Sequence, residues 1–117
     1  MASTALTIIS DGEGKTIAKF LRKSFGHVSG YSHMLLAFMS GAEIRTDRPP
    51  DAKTYHAMGF LAASLIAHLT PSNGDTFLVP TDSDVSADFT FNIFERDGVI
   101  MVRCEDKAGV IFETRAS

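Results

Sequence analysis

The chain has 117 residues, 44% hydrophobic and 21% charged, with a formal net charge of −3 at pH 7, figures of one small globular domain rather than a multidomain enzyme. Its one cysteine, Cys104, excludes an internal disulfide and a thiolate metal site and fits a reducing compartment. The longest apolar run, Met58 to Leu69, is broken by Ser64 and His68 and falls short of the roughly 20 apolar residues of a membrane span.

The first ten residues carry no basic group, so no secretory signal is expected there and the chain reads as cytoplasmic. Charge is uneven along the chain. Residues 1–58 hold seven basic and five acidic side chains, and residues 59–117 hold four and nine. The acidic second half argues against a general nucleic-acid binder, whose footprint is a dominant basic surface.

Ala5 to Ile9 is short, apolar and β-branched, which predicts a first strand, and Ser10-Asp11-Gly12-Glu13-Gly14 predicts a turn after it. From Lys15 to Phe25 the apolar positions Ile17, Phe20, Leu21 and Phe25 recur at three- and four-residue steps, the spacing of a helix with one buried stripe. Ser32 is a candidate N-cap for a second helix carrying Met34, Leu35, Phe38, Met39 and Ala42, which should stop before Pro49. A third helix is expected from Asp51 to Leu69. It is apolar in nearly every direction, which predicts a central position.

After a Pro71-Ser72-Asn73-Gly74 turn, Thr76 to Val79 reads as a strand and Thr81 to Ser86 as a polar loop. Phe89, Phe91 and Ile93 then alternate with Thr90, Asn92 and Phe94, and Asp97-Gly98 is a two-residue hairpin turn. That turn predicts Arg96 opposite Val99, Phe94 opposite Met101, Ile93 opposite Val102 and Phe91 opposite Cys104. A last strand, Val110 to Arg115, should return with Val110 and Phe112 inward, or with Ile111 inward if the loop before it is longer. The expected architecture is one α+β domain over residues 4–115: one early strand, three helices, then a C-terminal antiparallel β-meander packed on the helices.

Several chemistries can be weighed from the residues. Gly12-Glu13-Gly14-Lys15-Thr16 has the residues of a phosphate-cradling loop, but the earlier glycine that loop requires is replaced by Ile9, which favours a plain glycine turn. His56 and His68 are twelve residues apart, about 120° apart on one helix, and His27 and His33 lack a third ligand, so no metal or other cofactor is expected. Cys104 falls on the inward face of the hairpin, where a thiol behaves as a small hydrophobe. Lys15, Lys19, Arg22 and Lys23 would share one face of the first predicted helix, a basic patch for an acidic protein or a few phosphates.

The outward face of the hairpin is the stronger candidate. It sets Phe94 beside Met101 and Val99, rimmed by Arg96 and Arg103, the make-up of a protein-binding hot spot. The sequence therefore predicts a non-catalytic binding protein of the inhibitor, immunity, adaptor or accessory type, which occupies a partner's surface or pairs as a homodimer. The alternatives are a small-ligand binder or minor enzyme with Tyr55, His56 and His33 facing a pocket between helices and sheet, and weak nucleic-acid or phosphate binding by the basic helix.

Overall fold

A computed structural model describes residues 4–22, 28–47, 53–69 and 76–116. In chain order the elements are β1 (Ala5–Ser10), β2 (Thr16–Arg22), α1 (Val28–Met39), β3 (Glu43–Ile44), β4 (Thr54–Tyr55), α2 (Met58–Leu69), β5 (Thr76–Leu78), β6 (Phe89–Arg96), β7 (Val99–Asp106) and β8 (Gly109–Arg115). Six strands form one mixed sheet in the order β5-β2-β1-β6-β7-β8, and β3 pairs with β4 in a separate parallel ribbon.

This architecture overturns the expected three helices and C-terminal meander. The segment from Lys15 onward is not a helix. Asp11 folds the chain back, its Oδ1 accepting from the Glu13 and Lys15 amides at 2.9 Å each, while its own amide donates to the Lys15 carbonyl. Gly14 sits at φ +85°, where a Cβ would be strained. The chain then leaves as β2, antiparallel to β1. Phe20 and Arg22 turn inward and are buried, while Lys19 and Leu21 lie on the other face, the two-residue period of a strand.

Helix α1 begins at Val28, so Ser32 lies inside it and is not its cap. It ends well before Pro49: Ser40 and Gly41 follow its last residue, Gly41 at φ +78°, and the Ala42 amide donates back to the Met39 carbonyl, a left-handed helix stop. Helix α2 begins at Met58 because Thr54 and Tyr55 are drawn into the ribbon with β3, the Glu43 amide donating to the Lys53 carbonyl and the Arg45 amide to the Tyr55 carbonyl at 2.8 Å each. Asp51, Lys23, Phe25 and the predicted 71–74 turn lie outside the described residues.

Both helices pack on one face of the sheet. Tyr31, Leu35 and Met39 of α1 and Met58, Leu61, Leu65 and Leu69 of α2 form one core with Ala5, Ile9, Phe20, Phe91, Ile93, Ile100, Val102 and Cys104. Burial of this apolar surface is the main stabilising term. The sheet's central joint is the parallel pairing of β1 with β6, in which Thr7 stands beside Phe91. Tyr31 bridges the two: its hydroxyl is 2.7 Å from the Thr7 hydroxyl and its ring meets Phe91 edge to face at 5.0 Å. Arg22 lies 5.4 Å over the same ring.

At the start of the pairing, Thr4 and Asp88 lock the strands. The Thr4 amide and hydroxyl both donate to the Asp88 carboxylate, at 2.9 and 3.2 Å, and the Asp88 amide donates to the Thr4 hydroxyl at 3.0 Å. These bonds hold the Asp88 carboxyl below its ordinary pKa.

Burial pushes the Tyr31 phenol up to about 12 from 10.0. Its contribution to stability is therefore complete below pH 10 and should be lost as the pH climbs towards 12, by about 1.4 kcal/mol per pH unit. Tyr31→Phe should remove that alkaline slope. At neutral pH it should cost about 1–3 kcal/mol in urea unfolding by leaving the Thr7 hydroxyl unpaired, and adding Thr7→Val should recover part of the loss. An unchanged alkaline slope in Tyr31→Phe would show that the phenol is not buried as described.

Candidate functional site

The face of the sheet away from the helices divides in two. At β2 it meets the connection from β5 to β6, residues 79–88, which starts at the β5 edge and ends beyond β1. Lys19 anchors that connection, its Nζ donating to the Ser83 carbonyl at 2.8 Å. Over β6, β7 and β8 neither helix covers the face.

The β6–β7 hairpin has the register the sequence predicts, from Arg96 beside Val99 to Phe91 beside Cys104. Asp97 and Gly98 both take positive φ, 54° and 81°, the tight turn whose twist matches the strands. With Phe91, Ile93, Ile100, Val102 and Cys104 buried against the helices, alternation puts Asn92, Phe94, Arg96, Val99, Met101, Arg103 and Glu105 on the open face. Phe94, Met101, Val99, Arg96 and Arg103 thus lie together on one side of the molecule.

Their geometry centres on the Phe94 ring. The guanidinium carbons of Arg96 and Arg103 stand 5.2 and 5.5 Å from its centroid, each an attraction of about 0.5–1 kcal/mol at an exposed site. Glu113 of β8 lies between the arginines, 3.2 Å from Arg96 Nη1 and 3.8 Å from Arg103 Nε. Glu105 continues the row, 3.6 Å from Arg103 Nε and accepting from Asn92 Nδ2 at 3.0 Å. Arg103 Nε makes no hydrogen bond. The ion pairs are partly exposed and add little stability, but they hold both guanidiniums against the ring.

Next to this row, the last strand departs from expectation. A two-residue loop precedes β8, and its register slips so that Glu105 stands beside Val110 and Cys104 beside Phe112. Ile111 is the extra residue of a β-bulge. Phe112 packs against the core as expected, but Val110 does not turn inward: it is 58% exposed and Ile111 43% exposed. The sequence indicates a turn at Asp106–Gly109 but not the slip. The slip accompanies Gly109 at φ +136° and the Asp106 carboxylate accepting from the Ala108 and Gly109 amides.

The basic patch does not assemble. Lys15 is exposed in the β1–β2 turn, Lys19 reaches Ser83 on one side of the sheet, and Arg22 is buried beside Tyr31 on the other. Lys23 lies outside the described residues. Gly12-Glu13-Gly14-Lys15-Thr16 leads into a strand, so no helix N-terminus stands behind it to bind phosphate.

Tyr55 and His56 do meet in a groove of ≈ 580 Å³, together with Thr54, Ala57, Gly59, Phe60, Ala63 and Ser64. It lies outside α2 and not between helices and sheet, and His33 is exposed on α1 away from it. Helix α2 is correspondingly not buried all round: Gly59, Phe60, Ala63 and Ala67 are exposed. His68 stacks on Phe38 at 4.8 Å, and His27 lies outside the described residues. Among the described residues no cluster of three His, Cys, Asp or Glu side chains is placed to hold a metal, and no helix is long and apolar enough to cross a membrane. The chain matches no protein-family model, and neither curated proteins nor solved structures provide a similar protein.

Cys104 is fully buried, and desolvation, aided by the Asp106 and Glu105 carboxylates, pushes its thiol up to about 11 from 9.0. A disulfide-exchange reagent at neutral pH should label the native protein only as fast as it unfolds, and label it completely in denaturing urea. Rapid stoichiometric labelling of the folded protein would mean that the β7 face is open.

Proposed function

We propose that this protein is a binding module that acts by occupying a partner protein's surface with the open face of β6, β7 and β8, and that it performs no chemistry of its own. The observation that carries this reading is the Phe94 ring held between Arg96 and Arg103 on a face neither helix covers. Aromatic and arginine side chains dominate the energetics of protein interfaces when they sit centrally with apolar neighbours. Here the neighbours are Met101 and Val99, with exposed Val110 and Ile111 at the sheet edge. Strand pairing and the Glu113 contacts fix these groups before any partner arrives, so less side-chain freedom is lost on binding.

Inhibitor, immunity, adaptor or accessory roles all fit such a module. A cytoplasmic setting is supported by the single, buried cysteine. The partner surface that fits best offers an apolar pocket for Phe94 and carboxylates or carbonyls for the outer edges of the two guanidiniums.

Native mass spectrometry of the protein purified gently from its own cells should show a stoichiometric complex with another protein. Phe94→Asp should weaken that complex by about 2 kcal/mol or more, while unfolding in urea shifts little because the side chain is only half-buried. A complex that survives Phe94→Asp and Met101→Lys unchanged would remove this face from consideration. A dimer lost in the same variants would assign the face to a second copy of the chain instead.

A further inference from the structure

We propose that the groove between β4 and the first turns of α2 is a binding site for a small, uncharged aromatic molecule, independent of the sheet face. It is lined by the aromatic residues Tyr55, His56 and Phe60, by the small residues Gly59 and Ala63, and by the hydroxyl-bearing Thr54 and Ser64. The volume of ≈ 580 Å³ is in the range of small-molecule sites, as is a mainly apolar lining with a few polar groups.

Three observations define the occupant. The first is charge: none of the eight described lining residues is Asp, Glu, Lys or Arg, so these residues offer an ion no fixed counter-charge to replace its lost hydration, which favours a neutral ligand. The second is the aromatic wall. His56 and Phe60 meet edge to face at 6.1 Å, and Phe60 is still 61% exposed, leaving ring surface on which a further ring can stack.

The third observation is the glycine. Gly59 lies in a helix, where alanine is the better residue, and a Cβ built on it would meet nothing within 4 Å. No neighbour in the described fold requires the missing side chain. That side of α2 is open to a molecule arriving from outside. Gly59 and Ala63 also line an adjoining hollow that runs along α2 to Ile66 and reaches Leu78 and Pro80.

Indole is a suitable probe because it is neutral, aromatic and carries one hydrogen-bond donor; cyclohexanol serves as the neutral, non-aromatic control. Titration of the full chain with indole, followed by amide NMR, should give saturable shifts centred on His56, Gly59, Phe60, Ala63 and Ser64. Ala63→Phe fills the groove from an exposed position and should weaken binding about tenfold or more, and Phe60→Ala should weaken it in the same direction. Cyclohexanol should bind more weakly than indole. The proposal is overturned by shifts that grow linearly without saturating, by equal affinity in Ala63→Phe, or by cyclohexanol binding as well as indole. It is equally overturned if the same amides shift with protein concentration alone, which would show that a second copy covers the groove.

Discussion

The parallel pairing of β1 with β6 is the contact on which the rest of the structure depends. It joins residues 5–9 to residues 89–93, so nearly the whole chain between them is the crossover that a parallel pair demands. Without it the sheet separates into β5-β2-β1 on one side and the β6-β7-β8 meander on the other. Tyr31 touches both halves of that joint, through the Thr7 hydroxyl and the Phe91 ring, and the Thr4–Asp88 lock closes its beginning. Because both helices fall within the crossover and pack on the same face, the opposite face of the meander is left without a helix.

Where local rules decide the structure, the sequence was readable. The β6–β7 hairpin is set by Asp97-Gly98 and by strict alternation, and the register follows from those alone, which is why the grouping of Phe94, Met101, Val99, Arg96 and Arg103 could be anticipated. The inward place of Cys104 followed from the same register. β2 was misleading for a specific reason. Ile17, Phe20 and Leu21 fit a helical stripe, while the alternation of Phe20 with Arg22 is hidden because a cation is normally assigned to water. Arg22 is buried because Tyr31 offers it a ring face, a partner that is not its neighbour in sequence. The early start expected for the third helix failed similarly, since Thr54 and Tyr55 belong to a ribbon whose other strand comes from before the proline pair.

The two candidate surfaces differ in physical character. On the sheet, Arg96 and Arg103 are balanced by Glu105 and Glu113, so a partner meets a locally neutral patch of fixed shape rather than a field that draws it in. On the helix side, the eight described residues that line the groove at Gly59 include no charged side chain. The groove was not evident from hydrophobic patterning, which reports what is buried. The exposed Phe60 fell inside a run that looked uniformly apolar, and the exposure of Val110 and Ile111 depends on a slip of register.

That slip at Ile111 also bears on how the molecule avoids endless self-association. An unbroken β8 at the rim of a six-stranded sheet, carrying Val110 and Ile111, would be a template on which identical chains could stack one after another into a fibre. With the bulge, the even spacing of backbone donors and acceptors is interrupted beside those two side chains, and the orderly stretch of the rim is reduced to Phe112–Arg115. The same irregularity that bares two aliphatic groups to a visitor removes the continuous ladder on which amyloid growth relies.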